Sequence, residues 1–251
     1  MRRTLRILDT GIADGRWNVA ATAALAGSRE ASGAEAPDIL RLHRYEPCVL
    51  IGSGQAAGAA VDLAACRRSG IALARRVTGG GAVFMAPSVQ ALDLVAWRGG
   101  AALPEMMALA AAAIARAVRR LGAAAVADEN AVTIAGRKVC GLSGGFSGPV
   151  LCLQASLLVD LDEALMAAVL VPRRDAHFPA PEVTTLRREI GEAPTDTAVV
   201  AALAAEMAPV WAASVPDAMR PEETALAERL LAAEFGRDDV VLGQPAPAGV
   251  H

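Results

Sequence analysis

The sequence predicts an α+β protein in which helices flank a mixed or antiparallel β-sheet core. Three observations favour this class. Short apolar segments that alternate with polar residues or end at glycine predict strands. Long alanine-rich segments with a polar face predict helices. The two kinds of segment interleave without the regular order of parallel α/β folds, and one close pair of strands predicts a hairpin.

The composition fits a single large domain and excludes some functions. The chain has 251 residues, of which 54% are hydrophobic and only 3% aromatic, so the core should be aliphatic and rich in alanine. A net charge of −3 gives no general attraction to nucleic acid or to an anionic membrane, and an anion site would have to be local. The four cysteines show no C-x-x-C spacing. We expect a cytoplasmic protein that binds neither nucleic acid nor membrane.

Turn residues divide the N-terminal half into strands and helices. Asn18 or Asp14 is expected to cap the first helix, Pro47 to end a strand and Gly70 to end a helix. Residues 39–45 alternate apolar and polar after the first residue, as in a half-buried strand. The expected strands are 5–8, 39–45, 48–52, 71–75, 82–85 and 91–97, and the expected helices are 18–25, 61–69 and 104–121.

The C-terminal half begins with the expected hairpin, in which strands 131–134 and 138–140 flank a turn at 135–137. Glycine and serine predict a loop over 141–149, and proline predicts another over 172–181. The remaining elements are a strand at 150–159, a short helix from Glu163, and helices at 199–212 and 222–235. We expect one domain over residues 1–251, with a C-terminal helical extension at about 217–240 and a flexible tail at 244–251.

The segment 75–84, Arg-Arg-Val-Thr-Gly-Gly-Gly-Ala-Val-Phe, is the strongest candidate for a binding site. Three successive glycines allow positive φ and a close approach of the backbone to a ligand. Their N–H groups can surround an anion, and Arg75 and Arg76 add charge beside them. The apolar flanks distinguish the segment from a linker. The sequence therefore predicts an anion-binding turn.

Lys138 is the only lysine among the 24 lysines and arginines. It follows Arg137 directly, in the segment Gly-Arg-Lys-Val-Cys-Gly that starts at Gly136. A guanidinium is planar and bulky, whereas an ammonium is a compact point charge on a flexible stem. A single lysine in a chain that otherwise uses arginine therefore indicates a site that needs the ammonium.

Taken in order, these motifs and the segment Gly-Ser-Gly-Gln at 52–55 resemble the lipoate–protein ligase and octanoyltransferase family, which also includes biotin–protein ligases. The resemblance begins near Leu5, includes Trp-Asn-Val-Ala at 17–20, and ends at Val-Thr-Thr-Leu at 183–186. It implies a biotin/lipoyl protein ligase-like catalytic domain. It also implies an enzyme that activates lipoate or octanoate with ATP to an acyl-adenylate and passes the acyl group to a lysine of a lipoyl carrier domain.

The resemblance assigns roles to matching residues. Lys138 would neutralise charge at the acyl-phosphate, Arg76 would face a phosphate, and Gln55 would lie beside the acyl pocket. Thr78 matches a serine of the family, and residues 81–84 would lie along the adenine and the acyl chain. The implied site consists of Lys138 as the catalytic residue and of Gln55, Arg76, Thr78, Gly79, Gly80, Gly81, Ala82, Val83, Phe84, Asn130 and Gly141 as substrate- or ATP-binding residues.

The implied cofactors are ATP and Mg²⁺, with lipoate as substrate. The implied partner is the lipoyl carrier domain of a 2-oxoacid dehydrogenase E2 or the glycine-cleavage H protein, with a separate accessory-domain chain if activation requires one. The metal ligands are left open, although Asp128 or Glu129 could replace the acid that the family carries after the position of Asn130.

The sequence departs from the family pattern at three places. Met-Ala-Pro-Ser at 85–88 stands where the family has His-Asp, Asp-Glu-Asn-Ala at 128–131 where it has Arg-Asn-Asp, and Leu-Gln-Ala-Ser at 153–156 where it has His-His-Gly-Thr. Two alternatives to the ligase therefore stay open. One is an ATP-independent octanoyl- or lipoyltransferase, for which Cys140 would share a strand face with Lys138. The other is a non-catalytic subunit that binds a lipoyl or acyl group.

Overall fold

The computed structural model describes residues 3–171 and 182–243. Over these ranges the chain forms eleven strands, β1 (Thr4–Ala13), β2 (Asp38–Tyr45), β3 (Cys48–Ile51), β4 (Ala72–Arg75), β5 (Val83–Met85), β6 (Val89–Trp97), β7 (Ala125–Asp128), β8 (Ala131–Ile134), β9 (Arg137–Ser147), β10 (Val150–Leu158) and β11 (Ala213–Asp217). The helices in the same ranges are α1 (Gly15–Ala31), α2 (Ala57–Ala60), α3 (Leu63–Arg68), α4 (Leu103–Arg120), α5 (Glu163–Val169), α6 (Leu186–Ile190), α7 (Asp196–Met207), α8 (Pro221–Leu230) and α9 (Asp238–Leu242).

Two sheets organise these elements and confirm the α+β class. The larger sheet has the order β11-β1-β2-β6-β10-β9-β8-β7. Strands β11, β1 and β2 are parallel, and the remaining neighbours are antiparallel. The smaller sheet has the order β4-β3-β5. Its strands carry the two glycine-containing turns of the candidate site, at residues 52–55 and 76–81.

The central strands of the large sheet, β2, β6 and β10, are buried on both faces. One face packs against α4 and α7 in an aliphatic core that includes Leu92, Ile114, Leu153 and Leu203. The opposite face packs against α1 and the small sheet, with Tyr45 among its buried residues. We call this second face the α1 face. The candidate site lies on it.

Several boundaries differ from the expected ones. The composition of residues 141–149 predicts a loop, but most of these residues belong to β9, which pairs with β10 along Cys140–Ser147. Gly144 explains the misleading composition, because a Cβ there would lie 3.0 Å from Leu103 Cδ1 of α4. Strand β2 is buried on both faces instead of one, since Arg41 and His43 lie under α1. The expected helix 61–69 is α3, which begins two residues later at Leu63, and a separate short helix, α2, precedes it across the extended residue Val61.

The C-terminal elements pack on the rest of the chain. The expected helix 199–212 ends at Met207, and the edge strand β11 follows it. Helix α8 packs on α1 through Ala21, Ala24 and Ala227. The expected loop 172–181 and tail 244–251 lie outside the described residues. In the described part of the chain, no helix is long and apolar enough to cross a membrane.

Candidate ligand site

Two turns of the small sheet lie directly against each other. The N–H of Ser53 donates to the carbonyl of Thr78 at 3.0 Å. A Cβ on Gly52 would lie 2.1 Å from the carbonyl oxygen of Gly80, so only glycine fits at residue 52. Gly80 has φ +97, in the left-handed region that glycine adopts without strain. Above Gly79 and Gly81, in contrast, a Cβ would meet open space.

Arg76 supports the triple-glycine turn from beneath. Its guanidinium donates to the carbonyls of Gly79 at 2.6 Å, Gly81 at 2.8 Å and Leu50 at 3.2 Å. The side chain is buried, and this burial lowers the pKa of Arg76 to about 10. The expected contact of Arg76 with a phosphate is therefore not direct in this conformation. Its positive charge still lies below the turn and favours an anion above it.

Arg75 has a separate role that the sequence did not reveal. Its guanidinium donates to the carbonyls of Gly52 and Gln55, each at 2.8 Å. On its other side it donates to the carbonyls of Val240 at 2.9 Å and Val241 at 2.8 Å in α9. Arg75 thus connects the C-terminal helix to the 52–55 turn.

Thr78 fixes the turn on the α1 face of the large sheet. Its hydroxyl donates to Oε1 of Gln154 at 2.7 Å and lies 2.9 Å from the hydroxyl of Ser143. Gln154 in turn donates through Nε2 to Asp93 at 3.1 Å. Asp93 pairs with the buried Arg41 at 3.4 Å. We call Ser143, Gln154, Asp93 and Arg41 the polar row, because they occupy directly paired positions on β9, β10, β6 and β2.

Sequence reasoning missed the polar row. It marks Gln154 only as a departure from the family pattern and places Ser143 in a loop. The one available signal was Asp93, the single charged residue in the otherwise apolar segment 91–97. A buried charge of this kind needs a partner, so it implied another polar group on a neighbouring strand.

Lys138 lies over Gly141 on the same strand. A Cβ on Gly141 would be 2.9 Å from Cε and 3.0 Å from Nζ of Lys138. The backbone of Lys138 is held from the other side, because its N–H donates to the carbonyl of Glu182 at 2.8 Å and its carbonyl accepts from Thr184 at 2.9 Å. The close approach of the Lys138 side chain explains why a glycine at 141 suits the Gly-Arg-Lys-Val-Cys-Gly motif.

The structure brings Lys138 and the triple-glycine turn together. Gly141 and Ser143 are two residues apart on β9, so they share its α1 face and lie about 7 Å apart. Lys138 covers the first, and Thr78 of the turn contacts the second. The ammonium and the turn therefore lie beside neighbouring positions on the same face of β9.

The other predicted residues lie at varying distances from these positions. Gln55 caps its own turn, since its Oε1 accepts from the N–H of Gly52 at 3.3 Å. Asn130 is exposed at the β7–β8 turn, and its carbonyl accepts from Leu142 at 2.9 Å, beside Gly141. Ala82 and Val83 are half-buried, whereas Phe84 packs in the core of the small sheet. The Phe84 side chain is therefore turned away from a ligand in this conformation.

The predicted geometry of Cys140 is wrong. The pairing with β8 shifts register between Val132–Cys140 and Thr133–Lys138, which leaves Val139 as the extra residue of a bulge. Val139 and Cys140 are therefore both in the core, and Lys138 does not share a face with the thiol. Burial raises the pKa of Cys140 to about 12, even though Lys138 lowers it. Burial also raises the pKa of the Cys48, Cys66 and Cys152 thiols.

The described residues contain no cluster of three histidine, cysteine, aspartate or glutamate side chains that would hold a metal ion alone. Asp128 and Glu129 are exposed next to Asn130. Mg²⁺ that accompanies a nucleotide usually takes only one or two carboxylates and the phosphates themselves. These two acids fit that requirement.

Comparison with known proteins identifies the family. Residues 14–208 match the family described as the lipoyl protein ligase A/B catalytic domain. The chain belongs to this family. The resemblance drawn from the three motifs is thereby confirmed.

Three relatives show the extent of the likeness. Lipoate-protein ligase A subunit 1 of Thermoplasma acidophilum is 33% identical over 143 residues, which are 53% of this chain and 55% of the relative. The match thus spans about half of the relative's length. A lipoate-protein ligase A with bound ATP has a TM-score of 0.84 at 23% identity, over 98% of this chain and all of that one. A bipartite T. acidophilum ligase, studied with its E2 lipoyl domain, has a TM-score of 0.84 at 25% identity over the whole of both chains.

Proposed function

We propose that this lipoate-protein ligase family member activates lipoate, or octanoate, with ATP and transfers the acyl group to a lysine of a lipoyl carrier domain. The observation that carries the proposal is the position of Lys138 on the same face of β9 as the triple-glycine turn. An ammonium close to the backbone N–H groups of a glycine turn suits a carboxylate and a phosphate. ATP in the related structure and the lipoyl domain named with the bipartite ligase support these substrates.

The proposed reaction has two steps, and the same residues serve both. In the first step the carboxylate oxygen attacks the α-phosphorus of ATP, and pyrophosphate leaves with the electrons of the broken P–O bond. In the second step the amine of the carrier lysine attacks the acyl carbon, loses a proton, and AMP leaves. Negative charge develops on oxygens in both steps. Lys138 and the turn N–H groups are placed to stabilise that charge, with Arg76 adding its field from below.

Mg²⁺ would accompany ATP and balance the charge of its phosphates. Asp128 and Glu129 are the carboxylates that we propose for it, because the exposed β7–β8 turn adjoins Gly141 through Asn130. Residues 1–251 would act as one catalytic domain. We include the C-terminal helices in this domain because Arg75 connects α9 to the 52–55 turn.

We propose that a second chain completes the enzyme. The curated relative is named as one subunit, and the structural relative is described as bipartite. The carrier would be the lipoyl domain of a 2-oxoacid dehydrogenase E2 or the H protein. An ATP-independent transferase that uses Cys140 is disfavoured, because that thiol is fully buried and protonated at neutral pH.

The test is a lipoylation assay. Purified protein, a lipoyl domain, lipoate, ATP and Mg²⁺ are mixed, with and without an accessory chain from a bipartite ligase. Pyrophosphate release and the mass of the lipoyl domain are followed. We expect a mass increase of one lipoyl group that requires ATP and is reduced about 100-fold or more by Lys138→Ala. Cys140→Ser, the matched control, should keep the activity, and lipoylation that survives Lys138→Ala unchanged would refute the mechanism.

A further inference from the structure

The polar row has a fixed donor direction. Asp93 is paired with Arg41 and also accepts from Thr22 at 2.7 Å. A carboxylate only accepts hydrogen bonds, so the Gln154 atom that faces it must be the amide nitrogen. The oxygen of the Gln154 amide therefore faces Thr78, whose single hydroxyl hydrogen must point to it.

The direction of the Ser143 hydroxyl hydrogen follows from that of Thr78. Thr78 has already used its hydrogen on Gln154, so at 2.9 Å from Ser143 it can only accept. The Ser143 hydroxyl therefore donates to Thr78, and its own lone pairs face outward. Ser143 is half-buried, whereas Thr78 is buried, so Ser143 is the accessible end of the row.

We infer that Gln154 is a positioning residue that, through Thr78, makes Ser143 a hydrogen-bond acceptor toward the ligand. A carboxylate would be repelled by such lone pairs and must take its hydrogen bonds from the N–H groups of residues 79–81 and from Lys138. Ser143 is then free to accept a hydrogen bond from a donor group of the ligand. The attacking amine of the carrier lysine is the donor that the reaction supplies. The ligand assignment rests on the proposed function, whereas the direction of the row does not.

The variant Gln154→Glu should make the hydrogen bonds of the polar row depend on pH. Two carboxyl groups about 3 Å apart strongly resist double ionisation, so the introduced carboxyl group and Asp93 would share one proton at low pH. That proton replaces the amide hydrogen and leaves the row intact. As the pH rises through the pKa of the pair, both groups ionise and repel each other, so the side chain at 154 moves away from Asp93 and Thr78, still bonded to it, moves with it. The turn therefore has one position below this pKa and another above it.

Three buried groups of the wild type on this face, His43, Tyr45 and Cys152, should not titrate over the same range. The titratable and charged groups on this face are Asp93 on β6, Arg41, His43 and Tyr45 on β2, Cys152 on β10, Lys138 on β9 and Arg76 in the turn. Burial places the pKa of His43 at about 3 and raises the pKa values of Tyr45 and Cys152 above their ordinary values. A titration step in the variant would therefore report the new pair.

The test uses ¹⁵N-glycine-labelled full-length protein and needs no ligand. The amide signals of Gly79, Gly80 and Gly81 are followed from about pH 6 to about pH 9. We expect them to shift with one titration in Gln154→Glu and to stay constant in the wild type. Gln90→Glu, also a buried glutamine but bonded to the His43 and Ala91 carbonyls outside the row, is the matched control and should leave them constant.

Signals that stay constant in folded Gln154→Glu would overturn the inference. If that variant does not fold, Gln154→Met keeps the volume and removes both hydrogen bonds. It should move the three glycine signals at every pH, and unmoved signals would again refute the positioning role.

A second measurement addresses the ligand. Lipoate affinity of Ser143→Ala should stay within about twofold of wild type, because Ser143 donates nothing to the carboxylate; a loss of about tenfold would show that it does donate. Failure of lipoylation in the assay above would refute the proposed function and leave the glycine signals as an independent test.

Discussion

The ammonium of Lys138 lies directly over Gly141, at 3.0 Å from the point where a Cβ on that residue would be. The obstacle to a larger side chain at 141 is the end of one flexible side chain and not the backbone. Any change at Gly141 should therefore move the ammonium before it harms the fold.

We expect Gly141→Ala to separate activity from stability. The methyl group displaces Lys138 Nζ by roughly 1 Å, and misplacement of this size costs about 100-fold in rate. The free energy of unfolding should change by less than about 1 kcal/mol, because Lys138 can rotate away. Lipoylation rate and urea unfolding are the two measurements. Gly145→Ala, on the same strand with open space above it, is the control for the loss of a strand glycine.

The three glycines of the turn should differ in what they tolerate. Alanine at Gly80 meets both a positive φ and Arg76 Nη2 at 2.9 Å, and should destabilise the protein by about 1–2 kcal/mol. Alanine at Gly79 or Gly81 points into open space and should leave stability unchanged. Because that space is where the ligand would lie, we expect these two variants to lose ATP or lipoate affinity instead. Thermal unfolding and calorimetric titration measure the two effects, and equal stability losses at all three positions would contradict the turn geometry.

Arg75→Ala should loosen two distant segments together. The side chain donates to carbonyls of the 52–55 turn and of α9, so its loss removes hydrogen bonds from both. Hydrogen exchange should become faster in both segments. Arg16→Ala is a matched control, because Arg16 donates to Gly236 and Asp238 and to Leu73 but not to the 52–55 turn. If Arg75→Ala accelerates exchange only in α9, the coupling is absent.

His43 should make the protein sensitive to acid. Its ring is fully buried among Arg41, Asp93 and Tyr45, Nδ1 has no hydrogen-bond partner in the described residues, and burial lowers its pKa to about 3. The unfolded chain binds a proton near pH 6.5, whereas the folded protein does not, so the stability from neutral His43 falls as the pH drops from about 6.5 toward about 3. Between about pH 6.5 and pH 5 the loss should approach ~2 kcal/mol.

The check for His43 is urea unfolding at these two pH values in the wild type and in His43→Asn. Other groups titrate in both proteins, so the informative quantity is the difference between their pH dependences. The variant should lose less stability on acidification than the wild type. An identical loss would mean that His43 is protonated in the folded protein.

The motifs of the site could be predicted from the sequence, but the sheet that carries them could not be predicted in full. The run of three glycines indicated the turn, because glycine allows a close approach of the backbone. The single lysine indicated Lys138, because an ammonium is a compact charge. Residues 141–147 have the composition of a loop but form a strand, because they pair with β10 and because Gly144 lies close against Leu103 of α4. Local composition does not contain that tertiary requirement.

The polar residues of the site were the hardest to predict. Arg76 looked like a ligand-binding side chain and instead holds the turn carbonyls, a role that depends on where the chain folds back. Gln154 and Asp93 become neighbours only through strand pairing across β10 and β6. A single register shift at Val139 likewise reversed the expected relation between Lys138 and Cys140. In each case the outcome depended on contacts between distant segments.

The most direct test of the central claim is a crystal structure with a non-hydrolysable lipoyl-adenylate analogue. The account predicts that the phosphate and the acyl carbonyl oxygen lie within hydrogen-bond distance of Lys138 Nζ and of at least one N–H of residues 79–81. An analogue bound elsewhere, or bound with Lys138 turned away from the triple-glycine turn, would contradict it.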